Sequence, residues 1–150
     1  MHRHPITQEG FASMQSELSD LEATLKTAIL ELTRTRELGD LSENSAYRLA
    51  KSAVRRFESR IRYLKKIIDH ATILQPPSKN SVGLGNTVKI REGMQYETYI
   101  IVDSVEADIL KGKLSLHAPL GKALLGAKKG HIVVYHTPSG KREVEIISIA

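Results

Sequence analysis

One stretch of this chain has residue types and spacing suited to chemistry: Gly39-Asp40-Leu41-Ser42-Glu43-Asn44-Ser45-Ala46-Tyr47. Asp40 and Glu43 stand three residues apart, just ahead of a helical pattern. Two readings fit. In the first they form a capping box, with Asp40 as the N-cap and Glu43 reaching back to a backbone N–H. In the second, both carboxylates project to one side of a first helical turn and hold a Mg²⁺ that keeps several of its waters. That shell is partial, so a partner would supply the rest. The two readings are compatible, because a capped turn is a rigid mount.

The flanking elements must present this stretch. Upstream, Phe11, Met14, Leu18, Leu21, Leu25, Ala28 and Leu32 recur at spacings of three and four, the ~3.5-residue period of a coiled-coil seam. The pattern stops at Leu38-Gly39-Asp40 and restarts as Ala46, Ala50, Ala53, Phe57, Ile61, Leu64, Ile68 and Ala71. Two helices joined by a short turn make an antiparallel hairpin. Leu32 is then expected opposite Leu49, Ala28 opposite Ala53, Leu25 opposite Phe57 and Leu18 opposite Leu64. Pro5-Ile6-Thr7 is a start signal with Thr7 as N-cap, and Gly10 is a weak spot in the first turn. Residues 11 to 37 make an arm on the order of 40 Å long. So narrow a seam leaves most of the surface wet, so the hairpin is expected to protrude with the two carboxylates at its far end.

Charge divides between the helices. Glu9, Glu17, Asp20, Glu22, Glu31 and Glu37 lie on the first, with Lys26, Arg34 and Arg36. The second carries Arg48, Lys51, Arg55, Arg56, Arg60, Arg62, Lys65 and Lys66 against Glu58. Pairing across the hairpin absorbs part of this. The excess reads either as a solvated face or as a stripe for a polyanion. The net charge of +5 points the same way.

The 150 residues suit one ordinary domain or two small ones. With no Cys, disulfides, thiolate metal sites and a Cys nucleophile are excluded. There is no membrane-length apolar run and no signal-peptide pattern, so a cytoplasmic protein without a membrane partner is expected. Composition shifts at Leu74-Gln75-Pro76-Pro77-Ser78-Lys79-Asn80, which reads as a linker. The expected domains are residues 1–74, the hairpin, and 83–150, with a linker at 75–82. The second half is β-rich, with strands expected at 87–91, 96–102, 113–117, 130–136 and 143–149. Thr137-Pro138-Ser139-Gly140 forms a hairpin turn, and Pro119 to Leu125 a short helix ended by Gly126. The fold class is α+β, two domains: an antiparallel helical hairpin followed by an antiparallel sheet with a short helix. Gly83-Leu84-Gly85 is too short for a nucleotide fingerprint, and the six His are scattered.

Gly39-Asp40-Leu41-Ser42-Glu43-Asn44-x-x-Tyr47 resembles the tip signature of the bacterial transcript cleavage factors, the Gre family. Three more stretches agree in order and spacing with that family: Pro5-Ile6-Thr7-x-x-Gly10, Ala118-Pro119-Leu120-Gly121-Lys122-Ala123-Leu124-Leu125-Gly126, and Thr137-Pro138-Ser139-Gly140 followed by Glu143-Val144-Glu145-Ile146. The resemblance covers nearly the whole chain. It implies an FKBP-like C-terminal domain that docks on bacterial RNA polymerase through a segment including Pro119 and Leu120. It implies a coiled coil that enters the secondary channel and an acidic tip that reaches the polymerase active site. Asp40 and Glu43 would there help hold a second Mg²⁺ and the attacking water, shared with the polymerase and not bound tightly by this chain alone. Leu41, Ser42, Asn44 and Tyr47 would support the tip. Arg36, Lys51 and Arg55 would contact the 3′ segment of the nascent RNA or the channel walls. Lys51 stands where members typically carry Arg, and Ala118 where they carry Ser.

The implied function is stimulation of the polymerase's own hydrolysis of backtracked RNA, by a monomer that is not itself an enzyme. The two-ion logic is general: one ion activates water while the other stabilises the leaving oxygen. A non-cleaving regulator that binds the same channel is the alternative. A prolyl isomerase is disfavoured by a C-terminal half without Trp, and a free nucleic-acid binder by an aromatic content of 5%.

Overall fold

The computed structural model of the chain describes residues 2–39 and 44–150. Its contacts group into two compact units, Met1–Gly10 with Thr72–Ala150, and Phe11–Ala71. The first ten residues thus belong with the C-terminal half, not with the hairpin that they precede in sequence.

The hairpin unit is built from α1 (Gln8–Arg36) and α2 (Ser45–Asp69). Thr7 caps α1 as expected: its hydroxyl accepts from Gly10 N at 3.0 Å. The α1 seam follows the heptad reading, with Met14 buried and Phe11, Leu18, Leu21, Leu25, Ala28 and Leu32 half-buried. It continues one step further, to Thr35, which is 1% exposed. A threonine fits there because its hydroxyl donates to the Leu32 carbonyl at 2.9 Å, so no polar group is stranded.

On α2 the phase differs at the start. Val54, Ile61, Leu64 and Ile67 are buried, and Tyr47, Ala50, Ala53 and Phe57 are half-buried. Ala46 faces solvent and Leu49 is 72% exposed, so Leu49 is not the partner of Leu32. At its N-terminal end the expected pattern fails, since Tyr47 and not Ala46 opens the seam, while Ala50, Ala53, Phe57, Ile61, Leu64 and Ile68 lie on it as expected. Ion pairs Arg60–Glu17 at 2.8 Å and Lys65–Glu22 at 3.1 Å cross between the helices. The helix ends at Asp69, where His70 N–H donates to the carbonyls of Ile67 and Ile68. Ala71, expected in the seam, instead opens strand β2 (Ala71–Ile73), which pairs with β1 (His4–Ile6). Leu74 N extends this pairing to the Ile6 carbonyl at 2.9 Å.

The C-terminal sheet contains β3 (Thr87–Glu92), β4 (Gln95–Val102), β5 (Lys113–Ser115), β6 (Ile132–Thr137) and β7 (Gly140–Ile149). Their spatial order is β5-β4-β3-β7-β6. The sheet is mixed, not wholly antiparallel as expected: β5 lies parallel to β4, with Ile100 opposite Lys113. The connection from Asp103 to Gly112 is too long for a hairpin and, through a 3-10 turn at Ile109–Lys111, returns the chain to run in the same direction. Val88, Ile90, Ile101, Leu114, Val144 and Ile146 form the inner face, closed by Leu120 and Leu124 of α3 (Pro119–Leu124). Each such side chain contributes about 1.5–3 kcal/mol on burial. Val82, placed in the linker by composition, is 2% exposed in this core. A Cβ at Gly121 would overlap the Ser115 carbonyl, so glycine lets α3 press against the chain leaving β5. Among the described residues, no helix is long and apolar enough to cross a membrane.

Candidate site at the hairpin tip

Asp40, Leu41, Ser42 and Glu43 lie outside the described residues; the residues that flank them are described. The capping reading of Asp40 does not hold, because the N-cap of α2 is Asn44. Asn44 has extended backbone angles, φ −83 and ψ 91, and its side-chain oxygen accepts from Tyr47 N at 3.0 Å. Its Nδ2 donates to the Thr35 carbonyl at 2.6 Å. One side chain therefore caps α2 and ties it to the end of α1. Opposite, Leu38 N donates to the Thr35 oxygen at 3.2 Å and Glu37 N to the Arg34 oxygen at 3.3 Å, closing the last turn of α1 in 3-10 fashion.

Tyr47 gathers the basic residues behind this clip. Arg36 places its guanidinium carbon 5.7 Å from the ring centroid, and Lys51 its Nζ at 5.9 Å, within cation–π range. Arg36 also approaches the phenol oxygen at 3.5 Å. Arg36 at the phenol oxygen, joined by the charges of Lys51 and Arg55, holds the Tyr47 pKa below the usual tyrosine range against the opposing effect of desolvation. Arg36, Lys51, Arg55, Asn44 and Tyr47 are thus brought to one place. Further along α2, exposed Arg62 and Lys66 continue the face of Arg48, Lys51 and Arg55 at helical spacing.

Pro119 and Leu120 sit far along the chain, in α3. Pro119 is exposed at the first helical position, on the rim of a shallow groove with Lys122, Ala123, Tyr135 and His136. Leu120 points into the core and is 9% exposed. Ala118 caps α3 without any side-chain hydrogen bond. Sequence reasoning missed Thr35, whose contribution to the tip is a backbone carbonyl that no residue type betrays. Among the described residues, no group of three or more His, Asp or Glu is placed to hold a metal ion.

Residues 4–73 match the family described as "Transcription elongation factor, N-terminal", and residues 77–150 match "Transcription elongation factor, GreA/GreB, C-term". A transcription elongation factor GreA of Leuconostoc mesenteroides is 43% identical, over 97% of this chain and 95% of its own. The GreA of Bacillus cytotoxicus is 40% identical, over 97% and 96%. A solved structure of the transcription factor Gfh1 is 30% identical, covers 99% of this chain and 97% of its own, and superposes with a TM-score of 0.50.

Proposed function

This chain belongs to the GreA/GreB family of transcription elongation factors, and we propose that it stimulates RNA polymerase to cleave backtracked nascent RNA. The hairpin enters the channel leading to the polymerase active site and presents Asp40 and Glu43 there. The observation that carries this reading is the clip from Asn44 to the Thr35 carbonyl, with Arg36, Lys51 and Arg55 collected around Tyr47 directly behind the acidic pair. The tie joins the two helices on either side of residues 40–43, and the cations beside it favour an RNA phosphate there.

Two carboxylates are hard oxygen donors of the kind Mg²⁺ takes, and they make up part of a shell, so the ion is shared with the polymerase. A second Mg²⁺ in such a site stabilises charge on the oxygens of the displacement. Asp40 and Glu43 would hold the ion and its water. Asn44 and Tyr47 fix the loop ends. Arg36, Lys51 and Arg55 hold the extruded 3′ segment. The attacking water and the hydrolysis are assigned to the polymerase's own centre. Docking falls to the exposed rim at Pro119, with Leu120 holding α3 in place from inside.

The test is a stalled, backtracked elongation complex with labelled RNA. Wild-type protein should speed release of short 3′ fragments. Asp40→Ala/Glu43→Ala should abolish this while still competing for polymerase. Polymerase binding without fragments from the wild type would instead make the protein a non-cleaving channel regulator.

A further inference from the structure

We propose that Glu106 is a positioning residue for the hairpin: its buried carboxylate fastens the first turn of α1, and that fastening determines how steadily the tip is presented. The consequence for cleavage rests on the function proposed above; the mechanical part does not.

Glu106 is 7% exposed, and its side chain 3%. A carboxylate leaves water at a steep penalty unless its oxygens find donors. Here they find three. Thr7 N donates at 3.0 Å, the Thr7 hydroxyl donates a short bond to Oε1, and Lys113 Nζ lies 3.3 Å from Oε1. The Thr7 hydroxyl at the same time accepts from Gly10 N. Glu106 therefore adds a second anchor to a helix start already capped by its own threonine, and it comes from 99 residues downstream. A negative group at this end of a helix is also favoured by the helix dipole.

Residue 10 explains the fit. A Cβ there would overlap the Glu106 carboxylate, so only glycine leaves room. What reads as a weak spot in the helix is the socket for this side chain. The turn that carries Glu106 makes a second contact with the same segment. Asp103 Oδ2 lies 3.5 Å from His4 Nδ1, and Glu106 N donates to the Asp103 carbonyl at 3.0 Å.

Leverage makes the anchor matter. Helix α1 is 29 residues long, or about 43 Å at 1.5 Å per residue. Rocking by ~5° at its first turn moves its far end by roughly 4 Å. Misplacement of a catalytic group by about 1 Å is enough to slow a reaction up to ~100-fold.

The experiment compares Glu106→Ala, Gly10→Ala and the double variant in the full-length chain. Gly10→Ala alone should destabilise, because its Cβ meets the carboxylate. In the double variant the overlap is relieved and alanine favours the helix, so the melting midpoint should rise above that of Gly10→Ala with the anchor still gone. The chain has no native Cys, so spin labels at Lys26→Cys and Lys141→Cys report on the two units cleanly. Pulsed EPR should give a broader distance distribution for the double variant than for wild type. Glu106→Gln, which keeps the volume, should broaden it less. In the backtracked complex, cleavage at saturating factor should fall about tenfold or more, with the half-saturating concentration unchanged within about twofold.

An unchanged EPR width in a folded double variant would overturn the proposal. So would a cleavage rate that recovers together with the melting midpoint. If wild type itself does not cleave, the function proposed above fails, and the EPR comparison alone decides the role of Glu106.

Discussion

The Asn44 side chain donates to the Thr35 carbonyl at 2.6 Å, joining the last turn of one helix to the N-cap of the next. The same amide accepts from Tyr47 N, so its donor and acceptor ends serve different helices. Asn44→Ala removes both contacts. The expected loss is about 1–3 kcal/mol, from a missing cap and a lost hydrogen bond between the helices together; the Thr35 carbonyl keeps the Leu38 N–H. Asn44→Asp keeps the cap acceptor but not the donor and should fall between the two. Urea denaturation of the three proteins checks this order.

Alkaline titration should separate the tyrosines. Tyr99 is pushed up to about 12, first by burial and then by the Glu97 carboxylate that its hydroxyl donates to at 2.7 Å. Its folded value lies above the unfolded value near 10. The stability linked to its protonated form is therefore complete below pH ~10 and is lost as pH rises from there through about 12. Tyr47 runs the other way. Its lowered value makes ionisation favour the folded state as pH climbs toward ~10 and above. Absorbance of the phenolate should show Tyr47 early and both Tyr99 and Tyr135 late, the last raised first by burial, and Arg36→Ala should move the early one upward.

Ala118→Ser should stabilise the protein. The N-cap of α3 has extended backbone, φ −66 and ψ 152, and lacks a side-chain acceptor. A serine hydroxyl there meets a free N–H of the first turn, for a gain of about 0.5–1 kcal/mol. A higher melting midpoint is the readout.

Gly121→Ala should do the reverse. The added methyl meets the Ser115 carbonyl, which is backbone and cannot swing aside. A loss of about 1–3 kcal/mol is expected from this overpacking. Because Leu120 and Leu124 leave the core if α3 shifts, the loss should come with increased amide exchange in β5.

The parts of this fold that repeat were legible from residue types. The hairpin seam follows its heptads, and the turn at Thr137–Gly140 pairs those two residues directly. The helix at Pro119 starts on its proline and stops before Gly126, whose φ is +79. What escaped were features set by partners distant in sequence. Strands β1 and β2 are three residues each and carry no alternation long enough to read. The parallel placement of β5 depends on how its connection closes. Thr35 looks like an interruption in an apolar seam until its hydroxyl is seen bonded to Leu32. Asp40 and Glu43 were conspicuous as chemistry, yet the cap that neighbours them is Asn44, which the resemblance marked only as support for the tip. Glu106 carries no local signal at all, since its meaning lies in Thr7 and Gly10.

The chain enters the hairpin through β1 and leaves it through β2, and these two strands are paired with each other. The hairpin is therefore an insertion, its two ends stitched together before the C-terminal sheet begins. Such a graft can be lengthened or shortened without rewriting its host. Removing one heptad from each helix at matched levels would draw the tip back by ~10 Å while leaving both the stitch and the Asn44 clip intact. The reach of this protein is thus written as a count of helical turns, a ruler whose gradations are seven residues apart.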